Sequence, residues 1–156
     1  APLLPEAFAA MRQALERPTN PSSVHAYGRQ GKKQLEAARK SIAEAIGAWP
    51  NEICFTASGT EANATALRGL AGRRTLASAI EHSSVLKAAP AMETIPVDAN
   101  GIISLSALDA MLRDGPPSLV SLMLANNETG VIQPVREAAE LAHAHGALLH
   151  CDAVQG

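Results

Sequence analysis

Leu119-Val120-Ser121-Leu122-Met123-Leu124-Ala125 is an apolar run of strand length, followed at once by the polar turn Asn126-Asn127-Glu128-Thr129-Gly130. An almost unbroken apolar run predicts a strand covered on both faces, as in a parallel sheet. Downstream, Pro134 stands at a helix N1 position, a helical pattern runs to Gly146, and Ala147-Leu148-Leu149-His150-Cys151 is a second apolar run. Strand, helix and strand in that order make a βαβ unit.

The same alternation extends upstream. Thr75 to Ile80 reads as a strand, Ser83 to Ala91 as a helix, and Thr94 to Val97 as a strand closed by the Asp98-Ala99-Asn100-Gly101 turn. Ser106-Ala107-Leu108-Asp109 resembles a capping box and opens a helix to Arg113. Glu52 to Thr56 reads as a short strand, and Ala57-Ser58-Gly59 turns into a helix from Thr60 to Gly72. The first fifty residues read as helical: Pro5 to Glu16, closed by Pro18, then Val24 to Gly47. The expected architecture is a three-layer α/β fold, a mostly parallel sheet with helices on both faces. Residues 1–50 form its helical N-terminal region and 51–156 its α/β domain.

Composition narrows the function. The chain has 156 residues, 47% of them hydrophobic and 18% charged, which suits a packed core. Thirteen Lys and Arg against fifteen Asp and Glu give a net charge of −2, so there is no basic footprint for nucleic acid. Aromatics are 3%, too few for a base-stacking platform. No apolar run approaches the ~20 residues of a membrane helix. Two cysteines, Cys54 and Cys151, cannot make a disulfide framework, and no signal peptide is evident at Ala1-Pro2-Leu3-Leu4-Pro5, so a reduced cytoplasmic setting is expected. The N-terminus lacks Met and the C-terminus falls just past an apolar run, so both ends read as cut.

In parallel α/β sheets the chemistry gathers beyond the carboxyl ends of the strands. Gly59 lets backbone N–H groups approach an anion closely, and the helix beginning at Thr60 adds its positive end and a hydroxyl donor. The plainer alternative is that Ser58 or Thr60 is an ordinary N-cap. GxGxxG and GxxxxGK[ST] are both absent. His82 follows the next strand, where it could stack on a ring, move protons, or simply cap a helix. Asn127 offers an amide, and Asp152 and Gln155 follow the last strand. An Asp after an apolar run calls for a cation partner, or else caps the next helix. Together these residues describe a site for an aromatic phosphate with a protonated ring nitrogen, and pyridoxal 5′-phosphate (PLP) fits. Gly59 and Thr60 would take the phosphate, His82 the ring face, Asp152 the pyridinium N–H, and Asn127 and Gln155 the phenolic oxygen. A metal site from His143, His145, His150 and Cys151 is disfavoured, because His143 and His145 point to different helix faces.

Five motifs in order carry a resemblance: Asn20-Pro21-Ser22-Ser23-Val24-His25, Ser58-Gly59-Thr60-Glu61-Ala62-Asn63, Glu81-His82-Ser83-Ser84-Val85-Leu86, Asn126-Asn127-Glu128-Thr129-Gly130 and His150-Cys151-Asp152-Ala153-Val154-Gln155. The chain resembles the cysteine desulfurases of the class V aminotransferase group, PLP enzymes of fold type I, in their housekeeping and nitrogen-fixation branch. The resemblance implies PLP as cofactor and conversion of L-cysteine to L-alanine, with sulfur passed to an enzyme persulfide and then to an acceptor or iron–sulfur scaffold protein. It also implies a homodimer, Asp152 as partner of the ring nitrogen, and His82 as catalytic residue, stacked on the ring and assisting proton transfer. The family's Schiff-base lysine and persulfide cysteine match nothing here. Lys32, Lys33, Lys40 and Lys87 fall on expected helices, and Cys54 and Cys151 in expected buried strands. The chain thus reads as the cofactor-cradling part of a desulfurase, unable to turn over alone. Rival readings are another class V enzyme (an aminotransferase, a kynureninase or a selenocysteine lyase) and a non-catalytic α/β module that binds a phosphate ligand.

Overall fold

The computed structural model describes residues 2–16, 19–70, 72–88, 91–116 and 118–156. Two compact units divide the chain, Ala1–Phe55 and Thr56–Gly156.

In the first unit, α1 (Pro5–Leu15) buries no residue, and α2 (Ala26–Ile46) buries Gly28, Gly31 and Ala43. The glycines of α2 answer a close approach. A Cβ on Gly28 would stand 2.0 Å from the Ser23 carbonyl oxygen, and one on Gly31 would stand 2.1 Å from Thr19 Oγ1. The 19–23 turn therefore lies directly on the first turns of α2. His25 caps this helix, its Nδ1 accepting from Gly28 N–H at 3.3 Å, and Gly47 ends it at φ 69°, where a side chain would be strained. The closing role expected of Pro18 lies outside the described residues.

The strand expected over residues 52–56 does not form. Pro50–Glu52 is a single 3-10 turn, and Ile53 to Thr56 run on without pairing. Instead of a ladder partner, the Ile53 carbonyl accepts from Arg39 Nη1, and the Arg39 guanidinium lies 4.9 Å from the centre of the Phe55 ring. Among the described residues no strand lies beside this segment to pair with it. Cys54 is accordingly exposed rather than buried in a strand.

The second unit is built on a four-stranded, all-parallel sheet in the order β2-β1-β3-β4. The strands are β1 (Arg74–Ser78), β2 (Met92–Ile95), β3 (Ser118–Ser121) and β4 (Leu148–His150). Between them run α3 (Gly59–Gly69, before β1), α4 (Ser83–Leu86), α5 (Leu105–Arg113) and α6 (Val135–Ala144). Alternation along the strands sorts two cores. Leu76, Ile95 and Val120 pack with Leu108 and Leu112 of α5 and Ala138 and Ala142 of α6. Ala77 and Leu119 face the other way and pack with Leu67 of α3 and Val85 of α4. Each fully buried leucine or isoleucine here contributes about 1.5–3 kcal/mol. The three layers are those the sequence pattern predicts. The expected buried strand at β4 is less covered within these 156 residues, with Leu148 exposed and Leu149 to Cys151 half-buried.

Smaller departures have local causes. Ser104, not Ser106, caps α5, since its Oγ accepts from Ala107 N–H at 3.2 Å. Pro134 occupies the N-cap of α6 rather than N1. Helix α4 ends at Leu86, and residues 89 and 90 of the longer helix expected there lie outside the described set.

Topology now locates a crevice. The chain leaves β1 toward β2 through α4, on one face. It then crosses to β3 through α5 and to β4 through α6, both on the other face. Crossovers of a single hand going opposite ways must use opposite faces. The reversal falls between β1 and β3, and beyond their carboxyl ends the diverging connections leave room for a ligand.

Candidate functional site

Side chains are held at this crevice by short caps and turns. Ser58 Oγ accepts from Glu61 N–H at 3.2 Å, and Glu61 Oε2 accepts from Ala57 N–H at 2.7 Å, so the turn before α3 is closed from both sides. The plain cap reading thus holds for Ser58, and Thr60 is left at the mouth of the helix. Beyond β1, Ile80 N–H donates to Ser78 Oγ and Glu81 N–H to the Ser78 carbonyl, which turns the chain so that His82 caps α4. Beyond β3 and β4 the ladder continues, with Leu122 N–H donating to the His150 carbonyl and Leu124 N–H to that of Asp152.

A cavity of about 260 Å³ opens at these ends. Gly59, Thr60, His82, Asn127, Asp152 and Gln155, the six residues singled out in the sequence, all line it. A second cavity of about 390 Å³ lies alongside, between residues 79–83 and 126–129, and shares His82 and Asn127 with the first. The space is tight near Gly59, where a Cβ would stand 3.2 Å from Val154 Cγ2.

One chain of hydrogen bonds crosses the floor of the first cavity. His82 Nδ1 lies 2.8 Å from Ser84 Oγ and accepts from Ser84 N–H at 3.2 Å. Asn63 Nδ2 donates to Ser84 Oγ at 2.9 Å and to Asp152 Oδ2 at 2.8 Å. Asp152 Oδ1 accepts from Val154 N–H at 3.1 Å. With Ser84 Oγ accepting from Asn63, its own proton points to His82 Nδ1, which assigns the His82 proton to Nε2. Both ends of the chain are thereby fixed in orientation: an imidazole and a carboxylate that line one cavity.

Asn63, which sequence reading passed over, is the hub of this chain. It is buried, at 5% exposure, in the interior of α3. Its signal was its placement: asparagine is a poor helix-interior residue, and at i+3 from Thr60 it shares the face that meets the cavity. The roles of Asn126 and Asn127 divide. Asn126 is structural, with Nδ2 donating to the Ile80 carbonyl at 2.9 Å and Oδ1 accepting from the N–H groups of Glu128 and Thr129, each at 2.9 Å. Asn127 faces the cavity.

Ionisable groups behind the cavity are perturbed. Glu81 is 5% exposed; Oε1 accepts from Met123 N–H at 2.7 Å, and Oε2 has no hydrogen-bond partner among the described residues. Burial pushes its carboxyl up to about 7, and the negative charge of Asp152 acts in the same sense. Burial likewise raises the Cys151 thiol, with Glu81 and Asp152 adding to the effect, and lowers His150, which Asp152 opposes. His150 Nδ1 lies 2.9 Å from Ser121 Oγ.

The donor set suits an aromatic phosphate. Gly59 and Thr60 present the first turn of an eleven-residue helix, whose N–H groups and positive end attract an anion. Also lining the cavity, a carboxylate with both oxygens already oriented awaits a donor. The same cavity is lined by an imidazole and by two amides, from Asn127 and Gln155. The set fits PLP in its chemistry: a phosphate, a ring face, a ring N–H and a phenolic oxygen would each find a group of suitable kind among these residues.

Comparison with known proteins bears on the same point. The sequence model of the aminotransferase class-V family matches residues 1–156. The chain is 45% identical over 168 aligned residues to a cysteine desulfurase of Cereibacter sphaeroides, covering 98% of this chain and 43% of that protein. Among solved structures, the NifS-like protein from Rickettsia africae ESF-5 superposes with a TM-score of 0.93 at 33% identity, over 100% of this chain and 46% of the other. SspA in complex with cysteine superposes with a TM-score of 0.87 at 28% identity, over 100% and 49%. The chain therefore spans less than half the length of the relatives it matches. Among the described residues no helix is long and apolar enough to cross a membrane. With fold, strand-end residues and whole-length match in agreement, the chain belongs to the aminotransferase class-V family.

Proposed function

We propose that this chain is the cofactor-cradling part of a PLP-dependent cysteine desulfurase. The observation that carries the reading is the hydrogen-bonded chain His82–Ser84–Asn63–Asp152, which holds an imidazole and an anchored carboxylate in the one cavity that the first turn of α3 also lines. The similarity to a cysteine desulfurase and to SspA in complex with cysteine supports L-cysteine as the substrate.

Gly59 and Thr60 hold the phosphate through backbone N–H groups and the Thr60 hydroxyl. Asp152 accepts from the ring N–H and keeps that nitrogen protonated; Asn63 and Val154 N–H hold its two oxygens in line. When bound, PLP supplies an electron sink that acidifies the substrate Cα. His82 would stack on the ring face, and its Ser84 contacts at Nδ1 leave Nε2–H as the proton-bearing atom of the imidazole. Asn127 and Gln155 donate to the phenolic oxygen. The lining of the cavity contains no lysine, and Cys151 is half-buried with a thiol held protonated. We therefore assign the imine-forming lysine and the sulfur-carrying cysteine to the part of the protein outside these 156 residues. Transfer of the sulfur to an acceptor or iron–sulfur scaffold, a homodimeric assembly and a cytoplasmic setting complete the reading.

The test is made on the full-length protein. Purified protein should carry PLP and release alanine from L-cysteine in step with sulfur. Conversion of L-cysteine to a keto acid, or no PLP, would refute the assignment.

A further inference from the structure

Glu81 is a buried carboxyl that this account of the site leaves without a role. In a parallel sheet the N–H groups of a central strand alternate between its two neighbours. Leu122 and Leu124 donate toward β4, so Met123 N–H points toward β1, which has already ended at Ser78. Glu81 Oε1 takes the place of the missing ladder carbonyl at 2.7 Å. With Asn126 Nδ2 on the Ile80 carbonyl at 2.9 Å, this clasps the loop that presents His82 to the loop that presents Asn127.

The protonation state follows from the surroundings. Oε1 accepts from one N–H group, Oε2 has no partner among the described residues, and the neighbouring Ser121 hydroxyl offsets only part of the effect of burial in a side chain that is 5% exposed. An ionised carboxylate so placed would be under-solvated, and it would share the strand ends with the Asp152 charge. The facing groups are few: Asp152 and Cys151 from the end of β4, Glu128 across the second cavity, His82 next in sequence, and His150 reached through Ser121. None is a fixed cation. We propose that Glu81 is a positioning residue that clasps the His82 and Asn127 loops, its carboxyl carrying a proton below neutral pH. The shift of Glu81 to about 7, caused first by burial, agrees with the geometry.

The proposal rests on the reading of the cavity as a PLP site, and its test separates the two. The full-length protein is compared with E81Q and E81A in two measurements. The first, in the absence of PLP, is stability against pH. A carboxyl raised in the folded state from 4.5 to about 7 favours folding below 4.5, loses that benefit as pH rises through 7, and is level beyond. The folding constant of the natural protein should therefore fall relative to E81Q by up to about ten-fold per pH unit across that window. Parallel curves would overturn the proton assignment, whether or not PLP binds. The second is PLP affinity and the absorption band of the bound cofactor. E81A, which loses the clasp, should bind about ten-fold more weakly, the size of one lost buried hydrogen bond, with a shifted band. E81Q keeps a neutral acceptor for Met123 N–H and should restore both. E81A indistinguishable from the natural protein, or E81Q as impaired as E81A, would overturn the positioning role. Absence of PLP binding in the natural protein would instead overturn the site reading, and the positioning role with it.

Discussion

Replacing Asn63 by alanine should be far more damaging than its place on a surface-type helix suggests. Its amide makes two hydrogen bonds, 2.9 Å to Ser84 Oγ and 2.8 Å to Asp152 Oδ2, at 5% exposure. A neutral bond is worth about 1 kcal/mol and one to a carboxylate about 1.5–3 kcal/mol, so the simple sum is about 2.5–4 kcal/mol. Asp152 is only half-buried, so water recovers part of its loss, and about 2–3 kcal/mol remains. The bond to Asp152 ties α3 to the end of β4, so local opening there must break it. The assay is native-state hydrogen exchange of the Leu122 and Leu124 amides, which donate to the His150 and Asp152 carbonyls. In Asn63→Ala both should exchange about 30- to 150-fold faster, the equivalent of that free energy. Asn63→Asp should also weaken PLP binding, because a second carboxylate against Asp152 forces the pair to share a proton and undoes the anion facing the ring. Exchange within about threefold of the natural protein would show that the Asn63 bridge carries no stability and refute the reasoning.

Asp152→Ala should abolish turnover in the full-length enzyme and also cost stability on the scale of Asn63→Ala, because it removes the acceptor of Asn63 Nδ2 and of Val154 N–H, as read by alanine release and thermal unfolding of the folded variant; retained turnover would remove Asp152 from the ring-nitrogen role. Gly59→Ala should weaken PLP binding, since its Cβ would press on Val154 Cγ2 at 3.2 Å, and Val154→Ala in the same protein should recover much of the loss, read by titration with PLP. Cys54→Ala should change stability by less than ~0.5 kcal/mol because the residue is exposed, and Cys151→Ala should cost more because it is half-buried. Neither should lower desulfurase activity, and mass spectrometry after a single turnover should find the sulfur on neither.

Sheet and crevice were legible because strands covered on both faces announce themselves as apolar runs. Leu119 to Ala125 became β3 and its extension, and the residues after each strand fell where a parallel sheet must gather them. The failure over residues 52–56 has the same root. Ile53-Cys54-Phe55 resembles a strand locally, but pairing is a property of neighbours; among the described residues no strand lies beside it, and Arg39 donates to the Ile53 carbonyl. Glu52 helped, its Oε2 accepting from Trp49 N–H at 2.7 Å and closing the turn that replaces the strand. Asn63 escaped notice because its partners, Ser84 and Asp152, are 21 and 89 residues away. Glu81 escaped because beside a histidine in a turn it reads as solvated. Only the register of β1 and β3 shows that Met123 N–H lacks a ladder partner which a side chain must supply.

The most direct test is the crystal structure of the full-length protein with PLP bound, and in it one distance: ring nitrogen to the nearer Asp152 carboxylate oxygen. The account predicts a hydrogen bond of about 2.7–3.0 Å, with the phosphate seated on the Gly59–Thr60 turn. A phosphate at the Asp152 end, or a ring lodged in the adjoining cavity between residues 79–83 and 126–129, would contradict it.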